Sequence, residues 1–449
     1  MMTLQSILIQ ANVPVPKDIP LDLPLSHGLL VFLIIVSFLA HIIFVNLMLG
    51  GTLLTLWSEI KGLKNKDYDT LAHEIAKTIT VNKSIAVVLG VAPLLCINTL
   101  YTIYFYSANA LTGLMWIAII PLVIIAFLLT YLHKYTWNAL SNNKSLHLLI
   151  IALATLVFLF IPLIFLVNIN LMLFPEKWNT VHGFISALLI PNVFPRYIHF
   201  ICASLAVTGL FLFWYVGRKN YPFDEHFTTF TRYDLKKKAY SLTLGASLAQ
   251  FLAGPLLLLT LPSKGMGWNL IGVILLGAAI AIPAMIWMYQ AITGPKEHID
   301  KNFWKVAIAM SITVVFMGSG RHIYRANALE PHQKLVAART ADFLKQSEDA
   351  RLHPVEEKAE LEIDPSLGAV AKGAALFKEN CSACHAKDKK VVGPPMTEMV
   401  EIYHDNIEGL KQWIKAPGKK RPDFPQMPTL SQLSDDDRNE LAKYILSIK

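Results

Sequence analysis

Cys381-Ser382-Ala383-Cys384-His385 stands near the C-terminal end of this 449-residue chain, and the rest of the sequence must be compatible with it. Two thiols three positions apart can form thioether bonds to both vinyl groups of one haem, and the histidine that follows is placed to bind the iron. The pair could instead close a disulfide or supply half of a zinc site; the adjacent histidine and the sequence downstream favour a c-type haem. Such attachment is completed outside the cytoplasmic membrane, so the segment carrying Cys381 must be delivered there.

With 54% hydrophobic residues and a mean hydropathy of +0.45, the chain is too apolar for a soluble protein. It is long enough for several membrane spans plus a small domain. Of the four cysteines, Cys96 and Cys202 lie in apolar runs, so no thiol pair is left for a disulfide framework. The net charge of +8 comes from Lys and Arg clustered in short loops. Membrane topology explains that clustering, and no nucleic-acid role is read from it. Residues 1–27 lack a basic region followed by an apolar core and a small-residue cleavage site. They are read as an outer N-terminal segment with no removable signal peptide, the first span doing the targeting.

Eight apolar stretches are long enough to cross a bilayer as helices: about 28–57, 83–105, 113–133, 146–173, 197–217, 238–261, 268–292 and 303–320. The expected fold is all-α, a polytopic transmembrane bundle over 28–320. Basic residues crowd the loops 58–82 and 218–238, while 106–112 has none and 262–267 has only Lys264. The positive-inside rule then puts both chain ends outside, which agrees with the haem motif from different residues. Residues 321–365 are polar and charged, with helix-forming stretches and Pro354 and Pro365 at the end; they read as a tether. Residues 366–449 form a unit small enough to need its cofactor at the centre of its core.

This last unit resembles a class I cytochrome c along its whole length. Gly373-Ala374-Ala375-Leu376-Phe377 leads into the haem motif, Gly393-Pro394-Pro395 follows, and Glu401 to Lys415 reads as a middle helix. Pro425-Gln426-Met427-Pro428 precedes Ser434, the N-cap of a last helix. The resemblance implies Met427, in its proline-flanked loop, as second axial ligand, with Met396 and Met399 as rivals whose other role is core packing. It also implies that the Pro394 carbonyl orients His385. Histidine and methionine together raise the potential and leave no room for substrate, so this haem is expected to be an electron relay.

Ionisable residues inside a membrane are costly unless paired or ligating. No Asp or Glu lies deep in the predicted spans, and His41 and His199 are the outstanding candidates. The string His41-Ile42-Ile43-Phe44-Val45-Asn46-Leu47-Met48-Leu49-Gly50 resembles the first helix of the large subunit of cytochrome bd oxidases. In that family this histidine binds a haem of the oxygen-reducing site. Phe194-Pro195-Arg196-Tyr197-Ile198-His199, with Gly209 further on, is similar to the family's fifth helix, whose histidine ligates a low-spin haem b. Gly320-Arg321 is similar to its terminal GR motif. The sequence also departs from that pattern. The connection between helices six and seven shrinks to Leu261–Gly267, so a quinol site of that type is not expected. The family's proton-conducting glutamates have no counterpart in 83–133. Met310-Ser311 stands near the place of a glutamate ligand, and its helix-seven methionine has only Met266, Met285 and Met288 nearby.

His41 and His199 have a plain alternative as hydrogen-bonded structural histidines. His27, His182 and His322 are weaker candidates, and His133 and His147 read as interfacial. Arg196, Arg321 and Arg325 cluster near the outer surface, where they suit haem propionates or, equally, lipid headgroups. The resulting expectation is a respiratory cytochrome of the cytoplasmic membrane with one covalent haem c outside and one or more non-covalent haem b groups in the bundle. The alternatives are a cytochrome bd-like reductase of oxygen or another small molecule, fed by haem c, and a haem-free anchor for the c domain. Lys387, Lys389, Lys390, Lys419 and Lys420 suggest an acidic redox partner on the outer side, and further membrane subunits fit the same picture.

Overall fold

The structure, a computed structural model, describes residues 23–352, 370–419, 424–430 and 432–448, apart from the side chains of 80–82 and 350. Most of the outer N-terminal segment, the end of the tether with Pro354 and Pro365, the first residues of the c domain and Lys420 lie outside the described residues. The chain divides into two compact units, 1–344 and 345–449. Both are built of helices, with no strand among the described residues.

Eight described helices are long and apolar enough to cross a membrane, which makes this a multi-pass membrane protein. They are α1 (His27–Gly62), α2 (Lys66–Leu100), α4 (Leu114–Tyr135), α5 (Lys144–Leu171), α6 (Val193–Gly217), α7 (Arg232–Thr260), α8 (Trp268–Thr293) and α9 (Phe303–Leu352), with a short α3 (Thr102–Thr112) before α4. Apolar side chains such as Leu252, Leu259 and Trp268 face outward, as a lipid-facing surface requires.

Helices α1 and α2 have 36 and 35 residues, well beyond the roughly 20 that a bilayer needs. The loop expected over 58–82 therefore reduces to Leu63–Asn65, where the Asn65 side chain accepts the Asp67 N–H at 2.9 Å. The buried face Leu71, Ala72, Ile75, Ala76 and Ile79 keeps this polar-looking stretch helical. Asp67 also accepts the backbone N–H groups of Thr229 (2.6 Å) and Phe230 (2.7 Å), which fastens the turn before α7 to the start of α2. The basic-free segment 106–112 belongs to α3, and Gly113, at φ +51°, makes the turn into α4.

Helices α1 and α6 approach closely. A Cβ on Gly50 would lie 2.2 Å from Thr208 Oγ1 and 2.3 Å from the Ser204 carbonyl oxygen. Ser204 Oγ donates to Asn46 Oδ1 at 2.9 Å and Thr208 Oγ1 to the Asn46 carbonyl at 3.3 Å. These contacts fix the two helices parallel and in register. Helix α9 does not stop at the end of its apolar run at 320. Tyr324, Arg325, Ala328, Leu329, His332 and Val336 form one buried stripe, which continues the helix along the bundle.

Among the described residues the C-terminal unit has four helices after the end of α9: α10 (Ala371–Asn380), α11 (Met396–Tyr403), α12 (Ile407–Lys415) and α13 (Asp435–Ser447). The expected middle helix over 401–415 is broken at His404–Asn406, where Asn406 caps α12 by accepting the Gly409 N–H at 2.8 Å. Phe377, Cys381, Met396, Tyr403, Leu410, Leu441 and Ile445 meet in its core.

Candidate functional site

In the C-terminal unit the haem motif continues past α10 as a further turn. The N–H groups of Cys384 (3.1 Å) and His385 (3.0 Å) both bond to the Cys381 carbonyl. Cys381 thereby faces the core, where burial pushes its thiol up to about 11, helped by the neighbouring Cys384. Both thiols are free. The following loop is clasped onto the motif, with Gly393 N–H bonded to the Cys384 carbonyl at 2.8 Å and Met396 N–H to that of Ala386 at 2.9 Å.

His385 Nδ1 lies 2.8 Å from the Pro394 carbonyl oxygen. A carbonyl only accepts, so Nδ1 carries the proton and Nε2 keeps its lone pair for a metal. The ring lies against Gly393, where a Cβ would stand 2.3 Å from Cε1. Met396 is buried in the core and Met399 packs against it, whereas Met427 is half-buried and outside that cluster. Two free thiols, an oriented imidazole and an uncommitted thioether fit a covalent haem.

A family model for cytochrome c matches residues 370–449. Cytochrome c6 of Cyanidium caldarium is 35% identical over 79 residues, 17% of this chain and 67% of the relative. The chain belongs to the cytochrome c family. Cytochrome c6 of Cyanidioschyzon merolae is 30% identical over 82 residues, covering 17% of this chain and 73% of the relative. Cytochrome c oxidase subunit 2 of Bacillus subtilis is 32% identical over 92 residues, 17% of this chain and 26% of the relative. A cytochrome c domain implies one covalent haem and a role in respiratory electron transfer, and here it is carried on a membrane helix bundle.

Within the bundle unit of this cytochrome, His41 and His199 stand level. Each lies five residues, about 7.5 Å of helix, before the hydrogen-bonded pair Asn46 and Ser204. They face different helices. His41 Nδ1 donates to the Ala86 carbonyl on α2 at 2.8 Å, and its ring lies against Gly90, where a Cβ would be 2.9 Å from Cε1. His199 Nε2 is 3.4 Å from the Gln250 side-chain nitrogen on α7, and its buried Nδ1 has no hydrogen-bond partner. His41 is thus oriented by a backbone carbonyl, as a ligating histidine is, while His199 has no such bond and keeps a buried nitrogen unpartnered. His182 is exposed, and the His322 ring is turned to the Tyr101 hydroxyl at 3.5 Å, so neither completes a pair with His199.

Three guanidinium groups lie beyond this level. Arg196, one turn before His199, donates from Nε and Nη2 to Asn192 Oδ1 at 2.9 and 2.7 Å. Asn192 is held at φ +80°, a conformation that asparagine tolerates. Arg321 stacks 4.6 Å from the ring of Phe38, one turn before His41, and its buried Nε has no hydrogen-bond partner. Arg325 is buried 5.1 Å over Tyr101. Among the described residues none of the three is paired with a carboxylate, and they lie close enough to repel one another.

One cluster is not visible in the sequence. His133 and His147, read as interfacial, are buried against Glu59 of α1, which lies beyond the expected end of the first span.

Proposed function

We propose that this protein is a membrane-bound respiratory cytochrome that passes electrons between an outer haem c and haem b groups held by the bundle. The haem c would be attached through Cys381 and Cys384 and bound by His385 and Met427, with Pro394 orienting the histidine. The membrane haems would lie at His41 and His199, with Arg196 and Arg321 toward their propionates. The observation that carries this reading is the layer of uncompensated guanidinium groups one turn from two level histidines. Cations taken out of water call for an anion, and haem propionates supply one.

Because His41 faces α2 and His199 faces α7, the two would serve separate haems. The outer side is the one where thioether attachment takes place, and the membrane is the cytoplasmic one. Exposed Lys387, Lys389 and Lys419 suit an acidic redox partner there, and other membrane subunits fit the same scheme.

A second reading is a cytochrome bd-like reductase of oxygen or another small molecule. The oriented His41, whose Nε2 forms no hydrogen bond among the described residues, favours it. The short turn Leu261–Gly267 between α7 and α8 speaks against a quinol site of that family's type.

Haem count and type on the purified full chain, by pyridine haemochrome spectra with and without carbon monoxide, test both. One haem c with no haem b would overturn them and leave a haem-free anchor. Haem b blind to carbon monoxide supports the relay. A carbon monoxide-responsive haem lost in His41→Ala supports the reductase.

A further inference from the structure

Three side chains distant in sequence converge at the end of the bundle where α1 finishes and α4 turns into α5. Glu59 sits near the end of α1, His133 in the last turn of α4 and His147 in the first turn of α5. None of their side chains is more than 1% exposed. One ligand atom from each lies within 4.8 Å of the other two.

The donor count at this cluster is restrictive. His147 Nε2 is 2.9 Å from the His133 carbonyl oxygen, which only accepts, so Nε2 carries a proton. In a neutral His147 the lone pair is then on Nδ1, and Nδ1 contacts Glu59 Oε1. A nitrogen lone pair and a carboxylate oxygen repel unless they share a cation, which is either a proton or a metal ion. His133 Nε2, 2.8 Å from the other carboxylate oxygen, brings a third donor to the same place.

We propose that Glu59, His133 and His147 form a binding site for a first-row divalent cation of the zinc class, fastening α1, α4 and α5 together. Two imidazoles and one carboxylate are a donor set suited to zinc. The far nitrogen of His147 is fixed by a backbone carbonyl, the arrangement that orients a metal-ligating histidine. Tetrahedral zinc at 2.0–2.1 Å needs donors roughly 3.3 Å apart, so His133 Nε2 and Glu59 Oε2, now 2.8 Å apart, open by about half an ångström and the His147–Glu59 contact opens further. The nearby cation does not compete, because Lys144, 4.0 Å from Glu59 Oε1, is paired at 2.7 Å with Asp69. Trp137 packs edge-on against both rings, with centroids at 5.3 and 4.8 Å, and walls the site.

The test is the metal content of the untagged full chain in detergent by mass spectrometry, followed by chelation and titration with Co2+. The expected result is about one zinc, or one Co2+ displaceable by zinc, per chain in the wild type. Glu59→Gln and His147→Gln should fall at least tenfold, while the haem c content and a Lys144→Met control are unchanged. If the variants do not accumulate, the wild-type Co2+ spectrum decides: strong four-coordinate bands support the site, and weak octahedral bands overturn it. No zinc and no Co2+ uptake would mean that the shared cation is a proton. Undiminished metal in both variants would place the ion elsewhere.

Discussion

The Nδ1–H of His385 donates to the carbonyl oxygen of Pro394 at 2.8 Å, and His41 repeats the arrangement with Ala86 at the same length. In each case a glycine lies under the ring, Gly393 for one and Gly90 for the other. The bond sets the tautomer and the glycine sets the depth of the ring, so each imidazole offers Nε2 in a fixed direction.

Gly393→Ala should therefore damage the haem c site. Its Cβ would come 2.3 Å from His385 Cε1, and the ring has to leave the Pro394 carbonyl. Haem c per chain, read by haemochrome spectra, is expected to fall severalfold. The wild-type yield of holoprotein in that variant would show that the ring has another seat.

Met427 and Met396 should separate by what each loses. Met427→Ala is expected to lower the haem c potential by a sizeable part of the about 0.8 V over which axial ligands act. Met396→Ala should keep the potential and cost about 2–5 kcal/mol, as for other buried methionines. Redox titration and thermal melts of the two variants check this, and a reversal would make Met396 the ligand.

Lys372 bonds Asp437 at 2.8 Å across α10 and α13. The Asp437 carboxyl is held down first by the Lys372 hydrogen bond and then by that of Ser434, while Lys372 is held up by Asp437. A depressed acid contributes stability above its unfolded value of about 3.9, lost as pH falls through the folded one. A raised lysine contributes below about 10.4 and loses it as pH rises through its folded value. Lys372→Met should thus flatten the alkaline limb and blunt the acid limb of the melting temperature against pH. Ser434→Ala should cost about 1 kcal/mol from the lost cap. Unchanged limbs in Lys372→Met would remove the ion pair from the account.

The haem motif was legible because its chemistry is local, with five consecutive residues carrying it. The spans were legible because an apolar run of bilayer length has few other uses. The helix extensions were not. Residues 66–82 are rich in charge, and their buried face shows only as spacing, from Leu71 and Ala72 through Ile75 to Ile79. The same holds for Tyr324, Ala328, Leu329, His332 and Val336 in a stretch read as a tether; their spacing was a readable signal. The cluster at Glu59 was hidden because the apolar run ends at residue 57, so the carboxylate was counted with the loop. His133 and His147, fourteen residues apart around a turn, meet only once α4 and α5 are antiparallel. The matching heights of His41 and His199 also needed the packed pair Asn46 and Ser204.

Arg196, Arg321 and Arg325 supply the last prediction. If they wait for haem propionates, Arg321→Gln should weaken haem b retention and leave haem c per chain unchanged, because the c site shares no residue with them. Arg321→Glu is the sharper variant. It puts a carboxylate near two remaining guanidinium groups, which should hold the fold at least as well as the wild type, since it replaces like charges by opposite ones. It should also exclude a second anion, so haem b should be lost from a protein that melts no earlier. Full haem b in a stable Arg321→Glu protein would assign the three arginines to lipid headgroups, and the membrane haems would need another anchor.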